Sequence, residues 1–522
     1  MTGRRSFCTL LFCLIVIAGS AQKKETLPPA LDQYITKVLE TFGVPGVGVS
    51  IVKDGKVVLA KGYGVKQLGL PDPVDEHTLF LIASNTKAFT ATALAMLVQE
   101  KKIKWDDRVI NHLPWFRMSD DYVTMHMTIR DLLVHHSGLA GYSGDAMLFP
   151  PSTYTRKQIL EKLPLLPLAY DFRTTYAYDN VLYLAAGEII AAVSGVSWEE
   201  FIKTRIFDVI GMKESLSRFS ALKEQKNVAM AHARYLGTVE PIKNFMQNDI
   251  GDAGDPVGGI VSNATDMAKW LITQLDSGRT IENTRLYNSA ATTELWKIVR
   301  PMPISKSPKE LWPAQYNFWG YALGFRTYNY RQYKVVGHGG ALGGFVSQIA
   351  MVPELKLGIS VLTNQQSGAA YWSIIYHILD YYMQNKPFDW LGGYKVQHDS
   401  VMARALRLKQ KQSTTTSNAT NQITLEKYAG RYNEALLGEA TIKKEGDGFV
   451  LRFANSPAFV ADLSYAQYNT FNARFRNFGP PADAYLTFYI KPDGSIEQAK
   501  LQVKDRGEST LDFDEMTMKP VK

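Results

Sequence analysis

Ser84 and Lys87 stand three residues apart in Leu81-Ile82-Ala83-Ser84-Asn85-Thr86-Lys87, just ahead of an apolar run over 88–98 that lacks Gly and Pro. Ala, Leu and Met dominate that run, which predicts a helix. It is apolar on nearly every side, so the helix should lie inside the protein. Residues three apart on a helix share a face. A serine hydroxyl is a weak nucleophile until a base takes its proton, and a neutral amine beside it can do that. The helix N-terminus adds partial positive charge and unpaired N–H groups, which suit an oxyanion. The plain alternative makes Ser84 a helix cap and Lys87 a solvated charge.

Two later stretches carry residues of matching chemistry. Tyr176-Ala177-Tyr178-Asp179-Asn180 precedes a helical pattern over 182–193 that stops at Gly195. In extended chain Tyr178 and Asn180 face the same side. A phenol beside an ammonium can be lowered in pKa until it works as a base, and an Asn amide can orient both a lysine and a substrate carbonyl. The second stretch is Gly337-His338-Gly339-Gly340-Ala341-Leu342-Gly343-Gly344. A glycine-rich strand edge lets a substrate backbone come close. His135 and His136 are read as structural. They sit in a predicted helix over 128–136, where adjacent side chains diverge by about 100° and cannot easily share a metal. Gly258 and Gly259 lack the neighbours of a nucleotide-binding loop, so nucleotide binding is rejected.

Other elements must hold these stretches together. An amphipathic helix is expected over 31–41, closing at Gly43. A hairpin is expected around Lys53-Asp54-Gly55-Lys56, and a short turn over 206–212. A helix capped by Asn263 or Thr265 should follow the Gly258 loop. Strands are expected over 321–325, 333–336, 345–352 and 357–362, and a closing helix over 371–383. The segment 395–412 is basic and reads as helical, and Ser413-Thr414-Thr415-Thr416-Ser417-Asn418 as a polar linker. Beyond it, short alternating segments with turns at 445–448 and 492–494 predict an all-β barrel or sandwich. The domain reading is therefore 1–21, 22–393, a linker over 394–423, and 424–522.

The 522 residues carry a formal charge of +8 with no Lys/Arg block, which argues against a nucleic-acid partner. Arg4 and Arg5, an apolar run over 7–17 and small residues to Ala21 read as a cleaved export signal. Both cysteines, Cys8 and Cys13, lie within it, so the exported chain would have no thiol chemistry. Periplasmic or secreted placement, without a stable membrane span, is the expectation.

Ser-x-x-Lys, Tyr-x-Asn and His-x-Gly, in that order, resemble the serine β-lactamase and penicillin-binding-protein superfamily. The similarity covers roughly 30–390 and is greatest to the branch with class C β-lactamases, D-alanyl-D-alanine carboxypeptidases, D-aminopeptidases and esterases. Thr128-Ile129-Arg130-Asp131-Leu132-Leu133 with His136-Ser137-Gly138-Leu139, and Gly258-Gly259-Ile260-Val261-Ser262 with Asp266-Met267-Ala268, resemble further segments of that branch. Tyr428-Ala429-Gly430-Arg431-Tyr432 resembles the small β-domain often appended to such hydrolases.

The resemblance implies an α/β (α+β) fold: an antiparallel sheet flanked by helices, an all-helical subdomain and a C-terminal β-domain. It implies Ser84 as nucleophile, Lys87 as its proton partner and Tyr178 as base. Asn180, His338 and Gly340 would bind substrate, and the N–H groups of Ser84 and Ala341 would form the oxyanion hole. No cofactor or metal is implied, and the substrate would be a small amide, peptide or ester. True β-lactamases usually carry Lys-Thr-Gly or Lys-Ser-Gly where this chain has His338-Gly339-Gly340. His338 would be at most partly charged at neutral pH. That shifts the expectation toward a peptidase or esterase, with β-lactamase as the alternative. A rival of another class is a protein that binds peptidoglycan fragments or β-lactams without turnover.

Overall fold

Asp54 and Gly55 both adopt positive φ, 49° and 75°, closing a two-residue turn between β1 (Gly46–Lys53) and β2 (Lys56–Gly64). This hairpin starts the architecture described by a computed structural model, which covers residues 27–235, 238–242, 251–414, 425–476, 483–504 and 516–521. The expected export signal and residues 415–424 of the linker lie outside the described residues.

The hairpin forms one edge of an eight-stranded antiparallel sheet. The other strands are β3 (Arg300–Pro301), β4 (Trp319–Tyr321), β5 (Arg326–Tyr330), β6 (Tyr333–Leu342), β7 (Phe345–Val352) and β8 (Leu357–Thr363). Their order is β2-β1-β8-β7-β6-β5-β4-β3. The strand expected over 321–325 is split. Gly324 turns the chain with φ 73° and separates β4 from β5.

Helices cover both faces. Val47, Val49 and Ile51 of β1 face a core shared with α1 (Leu31–Phe42) and α5 (Gly368–Tyr382), while Val52 joins the core on the other side. A strand buried on both faces reads as a mostly apolar run, which β1 does apart from Ser50 and its last residue, Lys53. The second face carries α4 (Ala264–Leu275), capped by Asn263, whose side chain accepts from Asp266 N–H at 2.8 Å. A helical subdomain is built around α2 (Thr86–Gln99) and α3 (Val181–Ser194), with Gly195 ending α3 at φ 79°. Within α2, 12 of 14 residues are buried, so packing on every side holds it. Phe89 stacks on Trp270 at 3.7 Å, and Thr90 donates to Pro256 O at 2.8 Å. Residues 202–210 continue a helix through one π-turn where a short turn was expected over 206–212.

The helix expected over 128–136 is shorter than its pattern. It spans Ile129–Leu133 behind a Thr128–Asp131 capping box, and His135 lies beyond it at φ 59°. A further helix, α6 (Trp390–Thr414), begins ahead of 394, within what reads as the first domain. Trp390 is anchored through Nε1–H to Asp380 at 2.7 Å. Beyond it, eight strands close into an antiparallel barrel whose first and last strands pair. The turns at 445–448 and 492–494 fall between its strands. The barrel meets the helical subdomain through Thr153 N–H to Asn455 O at 2.8 Å, Lys162 Nζ to Ala435 O at 3.3 Å and Ser456 Oγ to Pro151 O at 3.4 Å. Among the described residues, no single helix is long and apolar enough to cross a membrane.

The sheet meets the subdomain closely at the site. β6 pairs with β5 only as far as Gly337, and the turn carrying Ser84 lies against the stretch beyond it. A Cβ on Gly340 would fall 2.2 Å from Ile82 O and 2.9 Å from Ser84 N, so only glycine permits this approach. Gly340→Ala is expected to cost about 2 kcal/mol of stability. It should lower Ser84 reactivity more than tenfold. Thermal unfolding and the rate of Ser84 modification by an acylating probe measure the two effects.

Candidate active site

Ser84 lies in a one-turn 3₁₀ segment, Ala83–Asn85, that leads into α2. Its side chain caps nothing, and Lys87 is fully buried, so the reading as cap and solvated charge fails. Ala83 takes φ 48°, a left-handed conformation that costs about 1–3 kcal/mol away from glycine. The surroundings hold it in place. Ser347 Oγ donates to Ile82 O at 2.6 Å and accepts from Asn85 Nδ2 at 2.7 Å, and Ile82 N–H donates to Ile260 O at 3.0 Å.

Lys87 Nζ has three near partners: Asn180 Oδ1 at 2.8 Å, Val257 O at 3.0 Å and Ser84 Oγ at 3.1 Å. Two of these are carbonyl oxygens and can only accept. They use both N–H bonds of a neutral amine and leave its lone pair for the Ser84 hydroxyl. Burial is the largest influence on this amine. It pulls the pKa down to about 7, helped by Arg326 and opposed by the Asp145 carboxylate.

Tyr178 is half-buried, and its hydroxyl hydrogen-bonds Ser84. Lys87 Nζ lies 5.0 Å from the centre of its ring. The expectation of a phenol lowered in pKa is not met. Burial raises it, and Arg326 and the Ser84 bond only partly offset that. Tyr178 is therefore a neutral phenol in the free site. Asn180 reaches Lys87 with its oxygen, while Nδ2 donates to Asp145 Oδ2 at 2.7 Å.

His338 departs most from expectation. It is 2 % exposed. Nδ1 lies 2.5 Å from the Gly339 carbonyl, and Nε2 lies 2.7 Å from the Tyr321 hydroxyl. The carbonyl accepts only, so Nδ1 carries the proton and Nε2 accepts from Tyr321. Burial first, then Arg326 and Lys87, push its pKa well below 6.5, so the ring is neutral at pH 7, the lower limit of what the sequence allowed. Both nitrogens are engaged inside the protein. Gly340 is buried against the Ser84 turn, and Ala341 lies exposed beside it.

Arg326 was missed by the sequence reading. It is half-buried at the start of β5, hydrogen-bonds Tyr176 and lies 5.9 Å from the Tyr178 ring centre. It supplies the fixed positive charge that His338 lacks. An arginine in an ordinary strand pattern carries no local signal; only the pairing of β5 with β6 brings it here. Asp145 was missed for the same reason, standing in an irregular loop. His136 is structural, 2.7 Å from Asp131, which also pairs with Arg173. The His135 ring lies 4.1 Å from that of Tyr178 and is held neutral by burial. Among the described residues, no group of three or more His, Cys, Asp or Glu could hold a metal ion.

Comparison with known proteins agrees with this architecture. Residues 31–378 match the family model described as Beta-lactamase, so the chain belongs to the beta-lactamase family of serine hydrolases. Residues 414–520 match a domain of unknown function, DUF3471. The unguisins hydrolase ungD of Aspergillus violaceofuscus is 26% identical over 79% of this chain and 76% of its own. Penicillin-binding protein 4 of Amycolatopsis lactamdurans is 26% identical over 64% of this chain and 85% of its own. An octameric penicillin-binding protein homologue from Pyrococcus abyssi shares the fold with TM-score 0.57 at 24% identity, over 94% of this chain and 98% of its own. A class C β-lactamase from Rhodobacter sphaeroides does so with TM-score 0.52 at 20% identity, over 67% and 99%.

Only the neutral amine can accept the Ser84 proton, so Ser84 reactivity should rise with pH through a midpoint near 7. The rate of covalent modification between pH 5 and 9 measures this. A midpoint near the ordinary lysine value would contradict it.

Proposed function

We propose that this protein is an exported serine hydrolase that forms an acyl-enzyme on Ser84 with a small amide, peptide or ester. The observation that carries the reading is Lys87. The amine is buried, lowered to a pKa of about 7, and placed so that its one lone pair meets the Ser84 hydroxyl.

The residues divide the reaction as follows. Ser84 Oγ attacks the acyl carbonyl as its proton passes to Lys87. The carbonyl oxygen, now negative, lies toward the N–H groups of Ser84 and Ala341, each worth about 3–4 kcal/mol in sites of this kind. Tyr178 holds its proton in the free site, so it serves as the donor to the leaving nitrogen or oxygen rather than as the first base. The Lys87 ammonium then returns a proton to it. Water entering in place of the leaving group reverses these roles and releases the acid. Gly340 lets the Ser84 turn pack against β6, which leaves the exposed edge at Ala341 for the substrate backbone. Arg326 gives the pocket an anion-binding end, which suits a peptide or amide carrying a carboxylate. Relatives named as a hydrolase and as a penicillin-binding protein support acyl transfer as the chemistry.

Intact mass of the exported chain after incubation with a penicillin or a short activated ester tests the reading. Wild type should gain an acyl mass or consume the compound, and Ser84→Ala should do neither. Lys87→Ala should slow acylation at least 10³-fold, since nucleophile and base act as a unit. Turnover by Ser84→Ala near the wild-type rate would end the proposal. A lasting penicillin adduct that depends on Ser84 would mark a working nucleophile with slow deacylation, as in a peptidase. Arg326→Gln should raise KM for carboxylate-bearing amides about tenfold or more relative to neutral esters, as expected of a charge-assisted contact.

A further inference from the structure

The amide of Asn180 is held at both ends. Oδ1 accepts from Lys87 Nζ at 2.8 Å, and Nδ2 donates to Asp145 Oδ2 at 2.7 Å. An amide has one accepting end and one donating end, so an acceptor that takes the NH₂ group turns the carbonyl toward Lys87. The reverse orientation would aim N–H at the amine and compete with the Ser84 hydroxyl for its lone pair.

Asp145 is itself placed by the strand of residues that carries Tyr178. It begins the 3₁₀ turn Asp145–Met147, and its N–H donates to Tyr142 O at 3.0 Å. Tyr142 N–H in turn donates to Tyr178 O at 2.7 Å. Backbone hydrogen bonds therefore link the segment that carries Asp145 to the one that carries Tyr178 and Asn180.

The charged and titratable groups facing Lys87 come from every element around it. They are Asp145 across Asn180, Arg326 of β5, His338 of β6, His135 behind the short helix, Tyr178, and Tyr183 of α3. Burial keeps both histidines and both tyrosines neutral. That leaves Asp145 as the anion and Arg326 as the fixed cation around the amine.

We propose that Asp145 is a positioning residue of this site: through Asn180 it aligns the Lys87 lone pair on Ser84, and its carboxylate is the counter-charge for the ammonium formed when Lys87 takes the serine proton. The inference rests on Ser84 being the nucleophile. Asn180 is part of the same relay, passing orientation inward and charge stabilisation outward.

The test uses the full exported chain and a fluorophosphonate, an electrophile that reports serine reactivity whatever the natural substrate. Intact mass gives the rate of Ser84 modification from pH 5 to 9 for wild type, Asp145→Asn, Asp145→Ala and Ser84→Ala. Asp145→Asn keeps shape and an accepting oxygen but loses the charge. Without the anion the ammonium is less stable, so the neutral amine persists to lower pH. In both Asp145 variants the midpoint should fall by about one pH unit. Asp145→Ala, which also frees the amide, should lose about tenfold or more from the plateau relative to Asp145→Asn. A midpoint unmoved in folded Asp145→Asn overturns the proposal, because a merely structural residue would change rate without moving the profile. Should wild-type modification fail to depend on Ser84, the nucleophile reading falls and this proposal with it.

Discussion

An amine taken out of water decides most of this structure. Moving a lysine ammonium to full burial is costly, and a protein meets that cost by supplying fixed acceptors or by letting the group become neutral. Here both happen. Asn180 Oδ1 and Val257 O hold the amine, and its pKa falls to about 7. Each holder comes from a different element. Asn180 stands immediately before α3, Val257 lies in the short helix Asp255–Gly258, and Lys87 belongs to α2. The turn at Gly324 closes over the Lys87 backbone, where a Cβ would fall 2.6 Å from the Lys87 carbonyl oxygen. The subdomain and the sheet are thus joined at Lys87.

Charge in the pocket is arranged by the same burial. His338 is neutral and internally bonded. Tyr321 links it to a cluster with Tyr178, Tyr176 and His135, whose rings lie within 4.1–6.4 Å of one another. Arg326 carries the positive charge instead, from the neighbouring strand.

The C-terminal barrel is not tethered by the linker alone. Its residues Ala435, Asn455 and Ser456 hydrogen-bond residues 151–162 of the helical subdomain. That segment follows directly on the loop carrying Tyr142 and Asp145. The Thr153–Asn455 bond is backbone to backbone, whereas the other two depend on the side chains of Lys162 and Ser456.

Much of this was legible in the sequence, because it rests on local rules. Periodicity and composition placed α1, α2 and α3, and turn chemistry placed the β1–β2 hairpin and the barrel turns. The order Ser84, Lys87, Tyr178, Asn180, His338 named the family. What tertiary structure alone decided was protonation and proximity. A phenol expected to be lowered is raised, a histidine expected to be at most partly charged is neutral, and a lysine is the group poised near pH 7. These depend on desolvation and on charges from distant segments, which no local pattern encodes. Arg326 and Asp145 were invisible for the same reason. Each is an ordinary charged residue in sequence and becomes part of the site only when strand pairing and an irregular loop bring it beside Lys87.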